Sequence, residues 1–212
     1  MKIIRNHDKM MLLVFATSFF LRLFMKTIYI LLTKSTTICS KVVHMATKSE
    51  YTHAAISLDK NFDQLYTFSR RYKRLLLPAG FVVESAYEGL MGDSDDMNCA
   101  VYELQITDEA YEKLIRLFRH MDYHKKKYRY SILGLPMCFF KRRFERKGYY
   151  FCSQFVYDAL TRSGAVSKNN EPSLFKPMDF KELPEVKEIF KGDIKQLRSD
   201  WENVKVEKIT II

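Results

Sequence analysis

Residues 149–156 read Tyr149-Tyr150-Phe151-Cys152-Ser153-Gln154-Phe155-Val156. Apolar side chains at helical spacing continue to Ser163 and Gly164 supplies a stop signal, which predicts a helix over 152–163. Cys152 would then begin this helix, where unpaired backbone N–H groups and the helix dipole stabilise a thiolate and lower the pKa of the thiol. The stretch predicts a nucleophilic cysteine, and a buried cysteine packed under two tyrosines is the alternative interpretation.

Residues 51–59 form a second informative stretch and read Tyr51-Thr52-His53-Ala54-Ala55-Ile56-Ser57-Leu58-Asp59. The alternation of apolar positions predicts a strand that places His53 on the same face as Ala55 and Ser57. An imidazole held on a rigid strand is well placed to act as a general base toward a thiol. A hydrogen-bonded structural histidine is the alternative interpretation of His53.

Together the two stretches resemble the circularly permuted papain-like cysteine hydrolases, the YiiX-like branch of the NlpC-type superfamily. In that family a Y-T-H-hydrophobic strand comes early and a hydrophobic-C-S-E/Q-F-V helix comes late, the reverse of the papain order. This chain has both, with 152 − 53 = 99 positions from His53 to Cys152. The segment Gly80-Phe81-Val82-Val83-Glu84-Ser85 between them also looks like the family's, and the resemblance covers roughly Met25 to Met178.

The resemblance implies that Cys152 is a nucleophile and His53 its base. A third polar group on the strand after the histidine normally orients the imidazole ring, as a catalytic triad requires. That strand is Leu65-Tyr66-Thr67-Phe68-Ser69 here, and it has no Glu, Asp, Asn or His. We therefore expect Thr67 in this role, with Ser69 or Tyr66 as the next choices.

The resemblance also implies a fold and a set of substrate contacts. The expected fold is α+β, permuted papain-like (NlpC-type), with a mostly antiparallel sheet and the nucleophile helix packed against it. We expect Tyr150, Ser153 and Glu84 to contact the substrate. Backbone N–H groups at the start of the Cys152 helix are expected to stabilise the oxyanion. Neither a cofactor nor a metal is expected.

Periodicity elsewhere predicts the remaining elements. Strands are expected at Thr27–Leu32, Thr52–Leu58, Leu65–Ser69, Phe81–Ser85 and Cys99–Ile106. Helices are expected over Thr37–Thr47 and directly after Thr107, whose hydroxyl can cap the helix. Residues Glu171–Ile212 are expected to wrap around the domain, with a last strand at Val204–Ile209.

Composition indicates a basic globular chain with one domain. The 212 residues carry a formal net charge of +10, and 47% are hydrophobic, which excludes a disordered chain. We assign residues 25–212 to the domain and residues 1–24 to an apolar extension. The extension resembles a signal peptide without a cleavage site, and a membrane-proximal segment or a true translation start at Met25 are the alternatives. Cytoplasmic and membrane-associated locations both stay open.

Cysteine and histidine usage indicates neither a disulfide scaffold nor a metal site. No C-x-x-C pair exists, and unpaired thiols fit a reducing compartment; the chain's cysteines are Cys39, Cys99, Cys138 and Cys152. His120 and His124 have helical spacing, but no Glu or Cys completes a metal site with them.

Positive charge is concentrated in two segments. The first combines Arg70-Arg71 with Lys73-Arg74. The second, the basic block, holds nine basic residues against Glu145 alone: Lys125, Lys126, Lys127, Arg129, Lys141, Arg142, Arg143, Arg146 and Lys147. Such a patch attracts acidic lipid headgroups, anionic polymers or nucleic acid, and a solvated loop is the alternative. Nucleic acid is the least favoured partner because no nucleic-acid-binding module accompanies the patch.

Three functions are compatible with these features. The leading hypothesis is a cysteine hydrolase that cleaves an amide bond, of a peptide or cell-wall type, through an acyl-enzyme. The alternative is a thiol acyltransferase or lipid-ester hydrolase acting at a membrane, similar to the lecithin:retinol acyltransferase group, which shares the His-then-Cys order. The third is a non-catalytic binding module that uses the basic surface. Both enzyme hypotheses require Cys152 and His53 to lie together.

Overall fold

The computed structural model describes residues 25–34, 49–72, 75, 77–92 and 97–201. The strands are β1 (Met25–Thr33), β2 (His53–Ser57), β3 (Leu65–Arg70), β4 (Ala79–Glu84), β5 (Asn98–Thr107), β6 (Arg129–Tyr130), β7 (Tyr149–Tyr150) and β8 (Val186–Asp193). The α-helices are α1 (Gly89–Gly92), α2 (Asp108–Tyr123), α3 (Gly134–Phe139) and α4 (Cys152–Ser163). Short 3-10 turns occupy Lys125–Lys127, Pro172–Leu174 and Pro177–Glu182, and helical backbone also spans 194–201.

These strands form one sheet in the order β7-β6-β4-β3-β2-β1-β5-β8. Neighbouring strands are antiparallel except β6 and β7. Strand β1 pairs with β2 on one side and β5 on the other, so that Leu32 lies opposite both Ala54 and Ala100. The chain is therefore α+β with a mostly antiparallel open sheet, as the sequence predicts.

Both faces of the sheet are covered by apolar side chains. Because side chains alternate along a strand, Ile28 and Ile30 of β1 belong to the core cluster that includes α2 and α4, whereas Tyr29 and Leu31 belong to a second cluster. Ile194 contributes to the second cluster from the 194–201 helix. Helix α4, which begins at Cys152, is thus packed against the larger core.

Two helix boundaries agree with the sequence-based predictions. Helix α4 spans the predicted residues and ends at Gly164, whose φ of 84° is left-handed and suits glycine. Helix α2 begins after Thr107, whose hydroxyl accepts a hydrogen bond from the Ala110 N–H at 3.2 Å. None of the helices within the described residues is long and apolar enough to cross a bilayer.

The carboxyl-terminal segment contains a strand that periodicity did not predict. Strand β8 pairs with β5, and its residues are half-buried or exposed, so it lacks the clear apolar alternation of a core strand. The last strand that we expected, at Val204–Ile209, lies outside the described residues. The same is true of the extension at 1–24 and the expected helix at Thr37–Thr47. Lys73, Arg74 and Cys39 also lie outside them.

Candidate active site

Cys152 is the first residue of α4, and its Sγ atom lies 4.0 Å from the carbonyl oxygen of Thr52. The preceding residue, Phe151, is extended, and its N–H donates to Oε1 of Gln154 at 3.4 Å. No acidic side chain lies in the first turn of α4. The partial positive charge at the start of the helix therefore acts on the thiol without competition from a carboxylate in that turn.

His53 begins β2 and lies beside the thiol. Its imidazole and the Cys152 thiol are close enough to shift each other's pKa, upward for His53 and downward for Cys152. The Nε2 atom of the ring lies 3.4 Å from Oγ1 of Thr67 and 3.6 Å from Oε2 of Glu84. The side chains of His53 and Glu84 are 13% and 17% exposed, so the ring is enclosed mostly by protein.

The hydroxyl of Thr67 is the acceptor in its contact with the imidazole ring of His53, because its own proton is donated elsewhere. Thr67 is fully buried and donates its one proton to the carbonyl oxygen of Ala54 at 2.7 Å. Toward Nε2 of His53 the hydroxyl oxygen is therefore an acceptor, as is the carboxylate of Glu84. Both favour a proton on Nε2, which leaves Nδ1 as the ring nitrogen that can accept a further proton.

Burial and mutual attraction act in opposite directions on the pKa values of this pair. Burial is the largest single influence, and it lowers the pKa of His53 and raises that of Cys152. The hydrogen bonds and charges of Cys152 and Glu84 outweigh it and raise the pKa of His53. His53 and the backbone N–H groups of Ala54 and Ser153 likewise lower the pKa of Cys152. The arrangement favours a thiolate paired with an imidazolium.

The other cysteines in the described residues have thiol pKa values that are raised rather than lowered. Burial raises the pKa of the Cys99 thiol to about 12 and that of Cys138 to about 11. Both are free thiols in buried surroundings. Among the thiols that the structure describes, only that of Cys152 has a lowered pKa.

The predicted orienting residue and one predicted substrate residue both lie against the ring. Thr67 contacts His53 as expected, whereas Tyr66 stacks on Phe118 with ring centroids 4.3 Å apart. Glu84 was expected to contact substrate, but its carboxylate lies on His53. The sequence-based prediction places the orienting group on the strand after His53, whereas Glu84 ends the strand beyond that one. A carboxylate at the end of β4, the next strand of the hairpin, is the sequence signal that points to Glu84.

Two further predicted substrate residues are engaged in packing. Ser153 is fully buried and its hydroxyl donates to the carbonyl oxygen of Phe175 at 2.8 Å, whereas its expected contact with the substrate stays a prediction. Its backbone N–H stabilises the Cys152 thiolate. Tyr150 is half-buried and packs on Phe68 with ring centroids 5.2 Å apart.

The basic block is a surface feature. All nine of its basic side chains are exposed. Arg143 forms ion pairs with Glu145 at 3.7 Å and with Glu171 at 3.1 Å. Strand β7 follows the block directly and leads through Phe151 to Cys152, so the positive surface and Cys152 are adjacent in the chain.

Among the residues that the structure describes, histidines and acidic side chains do not form a metal site. Within the described ranges, no group of three or more His, Cys, Asp or Glu side chains could hold a metal ion. His120 and His124 do lie together, with ring centroids 4.7 Å apart.

Comparison with solved structures gives a similarity in fold. No family model matches the chain, and no curated protein matches it. Among solved structures, the chain is similar to the metalloprotein yiiX from Escherichia coli O157:H7 (DUF1105), at 12% sequence identity and a TM-score of 0.46. The similarity covers 79% of this chain and 97% of that one.

Proposed function

We propose that this chain is a cysteine hydrolase that cleaves an amide bond, of a peptide or cell-wall type, through an acyl-enzyme. The observation that carries the proposal is the position of Cys152 at the start of α4, with its Sγ atom 4.0 Å from the carbonyl oxygen of Thr52, the residue that precedes His53. The far side of the imidazole is held by Thr67 and Glu84. A nucleophile, a base and a group that orients the base are the parts that this chemistry needs.

The first half of the reaction forms a thioester. The Cys152 thiolate attacks the carbonyl carbon of the substrate, and negative charge develops on the carbonyl oxygen. N–H groups in the first turn of α4 have no partner within the helix and are donors for this oxyanion. The imidazolium of His53 then gives the proton on Nδ1 to the leaving amine as the C–N bond breaks.

The second half restores the enzyme. Neutral His53 takes a proton from a water molecule, whose oxygen attacks the thioester carbonyl. The C–S bond breaks, Cys152 leaves as a thiolate, and the substrate's acyl group leaves as a carboxylic acid. The net change is the addition of one water across the amide bond. Glu84 stabilises the imidazolium that exists before the first half and after the second.

A thiol acyltransferase or lipid-ester hydrolase is the second candidate. It would use the same thioester and differ in the bond attacked or in the acceptor that replaces water. The exposed basic block favours it, together with Leu133 and Phe140, which are 64% and 74% exposed. Cationic and apolar side chains side by side suit acidic lipids. A non-catalytic basic module is the third candidate and requires no activated thiol.

The first experiment is the pH dependence of alkylation by iodoacetamide, followed by mass spectrometry. We expect Cys152 to react well below the ordinary thiol pKa of ~8.5, and we expect His53→Ala to move its reaction to higher pH. Cys99 and Cys138 serve as internal controls, because burial raises their pKa values. A Cys152 that reacts no faster than these controls and ignores His53→Ala would contradict the proposal.

The second experiment measures turnover of fluorogenic peptide amides and of acyl esters. We expect His53→Ala to reduce kcat by about 10²–10⁴-fold, the usual contribution of a positioned acid and base. Cys138→Ala is the matched control, because Cys138 is buried elsewhere. Turnover of esters without amides would favour the second candidate over the first.

A further inference from the structure

Aliphatic side chains project from the surface beside β4 and β6. Leu77 and Ile132 are each 55% exposed, and Leu133 is 64% exposed. Leu77 precedes β4, and the other two follow β6. These strands are neighbours in the sheet, so Leu77 and Ile132 line the same surface cavity although they are far apart in sequence.

Cations rim the same cavity. Arg71, Lys126 and Arg129 line it, and none of its lining residues is acidic. Lys126 and Arg129 are exposed. The guanidinium of Arg71 donates to the carbonyl oxygens of Lys125 and Tyr128, which ties the β3–β4 hairpin to the segment that carries the other two cations.

The two strands under this surface are held at close range. Gly80 of β4 lies opposite Arg129 of β6. A Cβ atom at Gly80 would overlap the carbonyl oxygen of Tyr128 and crowd the Cα of Arg129 at 3.2 Å. The aliphatic and cationic side chains are therefore presented from paired backbone rather than from a free loop.

We propose that this surface, formed by Leu77, Ile132, Leu133, Lys126 and Arg129 and here named the docking face, binds an anionic lipid bilayer. Aliphatic side chains ringed by cations match acyl chains beneath a layer of acidic headgroups. A nucleic acid would use the cations, but its bases stack on free aromatic rings. Of the two tyrosines that line the cavity, Tyr130 packs against the core, and Arg146 lies over one face of the Tyr149 ring at 4.1 Å. The charge and the aliphatic character together favour the bilayer.

The position of the docking face gives such binding a consequence. Tyr149 of β7 lines the same cavity, and β7 leads through Phe151 to Cys152. Docking would bring the strand that precedes the nucleophile to the membrane surface. The docking itself does not depend on the proposed hydrolase activity, because it uses none of the residues around the thiol.

The test is flotation of the full chain with vesicles of phosphatidylcholine alone or of phosphatidylcholine with a quarter phosphatidylserine. We expect binding to the phosphatidylserine vesicles. Lys126→Gln with Arg129→Gln should weaken it by about tenfold or more. Leu77→Ser with Ile132→Ser should weaken it by about tenfold. Thermal unfolding of each variant would establish that it is folded.

The matched control removes the same charge from the opposite end of the sheet. Lys187 on β8 has a side chain that is 77% exposed, and Lys195 lies in the exposed part of the helix after it. Lys187→Gln with Lys195→Gln should change binding by less than about twofold, because charges away from the contact are screened.

Several results would contradict the proposal that the docking face binds an anionic lipid bilayer. They are equal binding to both vesicle types, an equal loss in the control, or unchanged binding after Leu77→Ser with Ile132→Ser. Binding of a single-stranded RNA or of polyglutamate in place of vesicles, lost with Lys126→Gln and Arg129→Gln, would also overturn it and identify an acidic polymer as the partner. The flotation test measures binding and not turnover. Its outcome therefore does not depend on whether the chain is a hydrolase.

Discussion

Glu84 reaches His53 across an intervening strand. Its Oε2 atom lies 3.6 Å from Nε2 of His53, although β3 separates β4 from β2 in the sheet. Thr67, on the intervening strand, contacts the same nitrogen at 3.4 Å. One ring nitrogen therefore has a neutral acceptor and a charged acceptor. We expect the neutral one to orient the ring and the charged one to stabilise its protonated form.

Glu84→Gln should separate these two roles, because it removes the charge and keeps the shape. The carboxylate raises the pKa of His53, so its loss lowers that pKa. A smaller fraction of His53 is then protonated, and the ring stabilises the Cys152 thiolate less. We expect alkylation of Cys152 to shift to higher pH by on the order of one unit. Glu88→Gln, at an exposed position, is the control. An unchanged profile would mean that the 3.6 Å contact has no electrostatic effect on the pair.

Cys152→Ser should lower the pKa of His53. The hydrogen bond and the charge of Cys152 both raise that pKa in the native protein, and a serine hydroxyl carries no charge in the accessible range. The titration of the imidazole protons by NMR measures the change directly. Cys138→Ser should leave the titration of His53 as it is. A His53 pKa that is the same with serine as with cysteine would argue against the ion pair.

Thr67→Val should destabilise the fold. The hydroxyl is fully buried and bonds the carbonyl oxygen of Ala54 at 2.7 Å, so valine would leave that oxygen without this donor. The expected cost is about 1–3 kcal/mol of the free energy of unfolding, measured by urea denaturation. Thr67→Ser keeps the hydroxyl and should retain the hydrogen bond. Because valine keeps the methyl group and loses only the hydroxyl, an unchanged free energy of unfolding in the valine variant would contradict the expected contribution of this hydrogen bond.

Gly164→Ala should cost stability through backbone strain alone. The residue has a φ of 84°, and a Cβ atom there would meet nothing within 4 Å. We expect a loss of about 1–2 kcal/mol in the free energy of unfolding, the cost of a left-handed conformation for alanine. Gly164→Asn should lose less, because asparagine tolerates this conformation. A neutral alanine variant would show that the end of α4 rearranges.

Local patterns were sufficient for the elements that depend on local interactions. The bounds of α4 follow from helical spacing and from Gly164, and the start of α2 follows from the hydroxyl of Thr107. These features involve neighbours in sequence, so periodicity and capping chemistry predict them.

The surroundings of Glu84 and Ser153 depend on long-range contacts. Glu84 meets His53 because of the pairing of three strands and the reach of its side chain. Ser153 is buried because the carboxyl-terminal segment places the carbonyl of Phe175 over it, where Phe175 stacks on Tyr157 with ring centroids 3.8 Å apart. Neither arrangement leaves a periodic signal in the chain.

The strand order also bears on how the protein avoids aggregation. Within the described residues the sheet ends at β7 and β8. Strand β7 has two residues, and β8 carries Lys187, Glu188 and Lys191. The pairing of β8 with β5 shifts register between Val101 and Tyr102. Short, charged and irregular edges are poor templates for a strand from another molecule, so this sheet resists growth into intermolecular β-structure at either end.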